Sequence, residues 1–167
     1  MKAVIQRVTK ASVSGNDKNN FSVDGQVISS IGNGLCILIG IKRDDTIEDI
    51  KYIVKKILNT KIFDDDNKKW NANVMDKQYE ILCISQFTLY HALKGNRLDF
   101  HKAMSAQDAG PFYNKFLVEL GKNYKPELIK DGKFGAMMEV DIKNNGPVTL
   151  EIESSLKFNK LTESNNV

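Results

Sequence analysis

Val140 and Ile142 alternate with Glu139, Asp141 and Lys143, and Val148, Leu150 and Ile152 alternate with Thr149, Glu151 and Glu153. A period of two marks half-buried strands, apolar on one face and polar on the other. Between the two runs stands Asn144-Asn145-Gly146-Pro147. Asn145-Gly146 alone suits a two-residue hairpin turn. Pro147 follows at once, however, and proline cannot donate to a strand ladder. One reading is an ordinary turn with a trans bond, since only about 5–6% of X–Pro bonds in folded proteins are cis. The other is a rigid tip, where Gly146 lets backbone approach a ligand and Pro147 fixes the direction of two carbonyls. The residues alone do not choose between them.

The rest of the chain supplies strands and helices to pack with this unit. Residues 2–14 alternate, with Ala3, Ile5, Val8, Ala11 and Val13 as the apolar set, and "SGNDKNN" (14–20) reads as a loop. "GNGLCILIGI" (32–41) is continuously apolar, which predicts a strand buried on both faces. In "DDTIEDIKYIVKKILNT", Thr46 and Asp49 resemble a capping box, and Ile47, Ile50, Ile53, Val54, Ile57 and Leu58 recur at helical spacing. "YEILCISQFTLY" (79–90) returns to strand chemistry. A second helix is expected from about Gly110, with Pro111 in its first turn, Phe112, Phe116, Leu117 and Leu120 as its stripe, and Gly121 and Pro126 at its end. The order β, β, β, α, β, α, β, β predicts an α/β protein: a curled, barrel-like, largely antiparallel sheet covered by two main helices.

At 167 residues the chain fits one domain, placed at 1–155, with a tail at 156–167 that loses all pattern. The formal charge of +3 permits a polyanionic partner without demanding one. Cys36 and Cys83 sit in apolar runs and read as buried free thiols; without CxxC spacing, neither zinc nor a redox pair is supported. No metal or other cofactor is expected. The N-terminus lacks a long apolar core, and no apolar run nears the ~20 residues of a membrane helix. The protein is therefore expected to be soluble and cytoplasmic, with no membrane partner.

Familiar catalytic signatures such as HExxH, GxSxG, a P-loop and GxGxxG are missing. A nucleophilic triad would need His91 or His101 beside Ser85 or Thr88; the plainer reading makes both histidines solvated loop residues. In "SQFTLY", Ser85, Gln86 and Thr88 follow a very apolar run, at what should be a buried strand end. Either these side chains satisfy neighbouring backbone groups, or the strand end offers N–H groups and polar side chains to a ligand.

"SQFTL" (85–89) and "NNGPVT" (144–149), in that order, resemble the two signature motifs of the D-aminoacyl-tRNA deacylase (D-tyrosyl-tRNA deacylase) family. The likeness extends through "MKAVIQRVTKASV", "IGNGLCILIGI", "KGNRLDFHKAM" and "KFGAMMEVDIKNNGPVT", over roughly residues 1–153. "DKNN" lengthens the first loop, Asn145 stands where many members have Asp, and the tail from about 156 has no counterpart. The resemblance implies an esterase that frees D-amino acids from tRNA, acts also on glycyl-tRNA, and works as a homodimer on the 3′ acceptor end. It implies a cis Gly146-Pro147 bond, reaching from one subunit into the other's pocket to exclude L-residues. It implies that Ser85, Gln86, Phe87 and Thr88 form the catalytic segment, with backbone N–H groups at Phe87 and Thr88 and the tRNA's 2′-hydroxyl carrying the chemistry. Phe134 and Ala109 are expected as pocket walls. The competing expectations are a non-catalytic module that holds the tRNA acceptor end, and a serine or threonine esterase acting on small esters.

Overall fold

The computed structural model describes residues 1–15 and 25–154; most of the expected loop at 14–20, including "DKNN", and the tail from 156 lie outside the described residues. The strands are β1 (Lys2–Gly15), β2 (Val27–Ile31), β3 (Gly34–Gly40), β4 (Glu80–Ser85), β5 (Ala92–Lys94), β6 (Arg97–Asp99), β7 (Ile129–Asp131) and β8 (Met138–Glu153). Helix α1 is Ile47–Asn59 and α2 is Ala106–Asn123. β1 organises the six-stranded sheet. One of its edges pairs antiparallel with β8; the other pairs with β3 over Lys2–Val8 and with β2 over Ala11–Ser14. β3–β4 and β4–β7 are parallel, so the sheet is mixed. Each parallel pair needs a crossover to return the chain, and α1 and α2 lie in those two connections. The Ser29 hydroxyl donates to the Asp131 carbonyl at 2.6 Å, drawing β2 toward β7 and curling the sheet into a nearly closed barrel.

The alternation of buried side chains sorts into two cores. Ala3, Ile5, Leu35, Ile37, Ile39, Ile81 and Cys83 pack on the face that α1 and α2 cover. Val8, Ala11, Val13, Ile31, Cys36, Leu82 and Ile84 fill the opposite face, inside the curl. β3 contributes to both, as its unbroken apolar run requires. Both cysteines are free and buried; burial raises the Cys36 thiol to about 11 and pushes the Cys83 thiol well above its ordinary value. No helix among the described residues is long and apolar enough to cross a membrane.

Helix α1 starts as expected: Thr46 N–H donates to Asp49 Oδ2 at 2.8 Å, and Ile50, Ile53, Val54, Ile57 and Leu58 are buried. Ile47, in its first turn, is exposed. Helix α2 departs from expectation at both ends. It begins at Ala106, because Ser105 caps it by accepting from Asp108 N–H at 3.3 Å, and Pro111 lies inside it. It passes through Gly121 to Asn123, and its buried stripe is Ala109, Tyr113, Phe116 and Leu120. The two halves of β8 do not form a hairpin with each other. Both pair with β1, from Gly15↔Met138 to Lys2↔Glu153.

Candidate active site

The apolar run at 79–90 stops being a strand at Ser85, and Phe87–Tyr90 forms a 3₁₀ turn. Gln86 N–H makes the last ladder-like bond, to Ile39 O at 2.7 Å. The turn then folds over the end of β3, where Gly40 leaves room: a Cβ there would lie 2.9 Å from Leu89 Cβ. Side chains make the approach of β3 to this turn possible only if position 40 has none. Within the turn, Leu89 N–H is the first to return a bond, to Gln86 O at 3.3 Å. The N–H groups of Phe87 and Thr88 precede it, where a helical turn has no internal acceptor to offer.

Gln86 Nε2 donates to Thr88 Oγ1 at 2.6 Å. His91 Nδ1 lies 2.9 Å from the Thr88 carbonyl, not its hydroxyl. His101 contacts Asp99 instead. Both histidines are exposed. Among the described residues no histidine or carboxylate hydrogen-bonds to the hydroxyl of Ser85 or Thr88, so neither has a base. Phe87 is 58% exposed, and its ring meets that of Phe100 edge-on at 4.9 Å. Ala109 is buried in α2, and Phe134 lies against the same helix, 5.8 Å from the Tyr113 ring.

The Gly-Pro segment is a protrusion from an otherwise continuous ladder. Gln6 pairs with Thr149 and Val8 with Asn144, so the four residues 145–148 stand opposite Arg7 alone. Asn144 closes the neck, accepting from Val148 N–H at 3.0 Å and donating to Thr149 Oγ1 at 3.0 Å. Gly146 has φ +123°, and the Gly146–Pro147 bond is cis. Arg7 braces the tip: Nε donates to Asn145 O at 3.3 Å and Nη1 to Ile62 O at 2.6 Å, with the guanidinium 5.5 Å from the Trp70 ring.

The two motifs do not share one neighbourhood of the sheet. Ser85 pairs with Ile39, and Ile39 with Ala3, whereas the tip lies opposite Arg7. Four residues along β1 span about 13 Å, and three strand spacings from β8 to β4 add about 14 Å, roughly 20 Å over the sheet.

A family model described as D-Tyr-tRNA(Tyr) deacylase matches residues 4–153. The chain belongs to that family. It is 57% identical to human D-aminoacyl-tRNA deacylase 1 over 92% of this chain and 70% of that protein. It is 51% identical to the Drosophila melanogaster D-aminoacyl-tRNA deacylase, covering 92% of each. A solved structure described as the c-Myc DNA Unwinding Element Binding Protein is 56% identical, with TM-score 0.84, over 92% of this chain and 99% of that one. A second, of a probable eukaryotic D-amino acid tRNA deacylase, is 16% identical with TM-score 0.73 over 90% and 98%, and shares the fold.

The structure of this deacylase chain groups Ser85, Gln86, Phe87 and Thr88 at one strand end, places Ala109 in α2 with Phe134, from the segment after β7, packed against that helix, and sets Gly146 and Pro147 apart on the tip. Sequence reasoning missed Arg7, Asn144 and Gly40. Arg7 and Gly40 matter only through partners far along the chain, which no local pattern signals. Asn144 could have been suspected, since an Asn before a turn commonly bonds backbone a few residues on.

Proposed function

We infer that this chain hydrolyses the ester joining a D-amino acid to the terminal ribose of tRNA, removing D-residues before they enter translation. The observation that carries the mechanism is that, among the described residues, no histidine or carboxylate bonds to the Ser85 and Thr88 hydroxyls, beside the N–H groups of Phe87 and Thr88 at the start of the turn. A water adds to the ester carbonyl, whose oxygen becomes an oxyanion held by those two N–H groups. The 2′-hydroxyl of the terminal ribose relays the water's proton toward the ribose oxygen that leaves. The products are a free amino acid and uncharged tRNA. One oxyanion donor is typically worth about 10²–10³ in rate, so a site without a nucleophilic side chain can carry this reaction. Ser85 and Gln86 orient the ester and the adenosine, while Phe87, Phe134 and Ala109 wall the pocket.

Selection rests on backbone. Carbonyls of Gly146 and Pro147 face the substrate α-carbon, where a D-residue presents hydrogen and an L-residue would drive its side chain into the tip. No side chain is read, so many D-residues are accepted, and glycine, with nothing to reject, is hydrolysed from its tRNA as well. The separation of tip and turn within one chain favours a homodimer, each subunit lending its tip to the other's pocket. The deacylase unit spans 1–155 and works in the cytoplasm, where charged tRNA is found.

Turnover separates an enzyme from a module that merely holds the acceptor end. With D-tyrosyl-tRNA in hundredfold excess over protein, free D-tyrosine should accumulate far beyond the protein concentration. Retention of intact D-tyrosyl-tRNA in a stable complex, with no release, would contradict catalysis.

A further inference from the structure

We propose that the β5–β6 hairpin is a docking finger for the backbone phosphates of the tRNA acceptor end. This rests on the deacylase reading and assigns it a surface. The hairpin leaves the catalytic turn directly: Tyr90 ends the turn, Ala92 starts β5, and Phe100, just after β6, packs its ring on Phe87. Cross-strand partners share a face. Lys94↔Arg97 therefore project together beside the Gly95-Asn96 turn, with Ala92↔Asp99 on the same face and the exposed Leu93↔Leu98 on the other.

Like charges directly opposite each other destabilise a hairpin unless an anion lies between them. Asp99, the one acid of the hairpin, forms no ion pair with Arg97. Asp99 is engaged by Lys94 and by both the backbone N–H and the ring of His101, and these contacts hold its carboxyl well below the usual range. Arg97 and Lys102 are exposed and form no ion pair among the described residues. Arg43 N–H donates to Lys102 O at 3.1 Å, bringing another cation alongside. From His91 to Lys102 the chain carries Lys94, Arg97 and Lys102 against Asp99 alone. Three residues of strand place the charged tip about 10 Å beyond Phe100. That is where a polyanionic single strand would continue once its terminal ester lay at the Phe87–Thr88 turn.

The test compares Lys94→Ala/Arg97→Ala with the unaltered protein on two substrates: D-tyrosyl-tRNA, and D-tyrosyl-adenosine, which has the ester but no phosphate. Each phosphate contact to a single strand contributes a salt slope of about 0.7. Losing two should flatten the slope of log kcat/KM against log salt by about 1.4, and lower kcat/KM on tRNA about tenfold near 0.15 M salt. The rate on D-tyrosyl-adenosine should not change, and Arg97→Lys should keep most of the tRNA rate. Equal losses on both substrates would overturn the proposal, since the hairpin would then only support the turn. An unchanged rate on tRNA would overturn it, as would a change in light-scattering mass that accounts for the loss, which would make the finger a contact between copies. Absence of hydrolysis by the unaltered protein would contradict the deacylase reading itself, a distinct result.

Discussion

Replacing Gly146 by alanine puts a methyl group where the tip has no space. Its φ of +123° lies in a region that residues with a Cβ occupy at a cost of about 1–3 kcal/mol. The new Cβ would lie 2.7 Å from Val148 Cγ2, 3.1 Å from Arg7 Nη2 and 3.2 Å from Val148 N. Crowding of that kind typically costs about 1–3 kcal/mol. Arg7 cannot simply swing aside, because Ile62 and Asn145 hold it. The sum is about 2–6 kcal/mol on a four-residue segment. If the whole fold bears it, the melting temperature falls by roughly 5–20 °C for a chain of this size. If the tip shifts instead, stability recovers and the D-over-L ratio falls. Val148→Ala removes the closest atom, so a double-mutant cycle should return about 1–3 kcal/mol of coupling while the backbone strain stays. Thermal unfolding of the four proteins, with hydrolysis of D- and L-tyrosyl-tRNA by each, reads both outcomes. A Gly146→Ala protein with unchanged melting and an unchanged ratio would show that the tip accommodates the methyl group and does not select.

Thr88→Ala should keep substantial activity, because among the described residues the hydroxyl meets the Gln86 amide and no base; trapping an aminoacyl ester on Thr88 would reverse this assignment. Charged tRNA ending in 2′-deoxyadenosine should be hydrolysed much more slowly than the normal substrate. Arg7→Met should cost about 1–3 kcal/mol by leaving the Ile62 and Asn145 carbonyls without their charged donor, and should lower the D-over-L ratio; a loss of stability with the ratio intact would limit Arg7 to the fold. Tyr113→Phe tests the half-buried Asp131, which accepts the Tyr113 hydroxyl at 2.7 Å and whose pKa partial burial raises above the ordinary carboxylate value. The hydroxyl favours the charged form, so its loss should matter at neutral pH and fade as pH falls toward the ordinary carboxylate value of about 4. A penalty independent of pH would mean that the bond does not depend on the charge.

Much of this architecture can be read from residue order because burial and pairing are written in period. The apolar set of β1 steps by two except from Ile5 to Val8 and from Val8 to Ala11, and the ladder with β8 shifts register at those two places. Thr46 with Asp49 announced α1 by the same chemistry with which Ser105 and Asp108 open α2. The second pair is masked by Pro111, which reads as a first-turn residue, although a helix can absorb one missing donor when its cap and buried stripe hold it. Two alternating runs around Asn-Gly suggest a hairpin, and only the long partner β1 reveals one strand with an excursion. The site divides along the same line. The 85–88 and 144–149 segments stand out locally, whereas Arg7 and Gly40 acquire their parts through contacts across the sheet.

The central claim is selection by the hand of the α-carbon, and parallel time courses on D-tyrosyl-tRNA and L-tyrosyl-tRNA test it most directly. At equal substrate and catalytic protein, D-tyrosine should be released rapidly and L-tyrosine only at the rate of spontaneous hydrolysis. Equal enzymatic release of both enantiomers would contradict it.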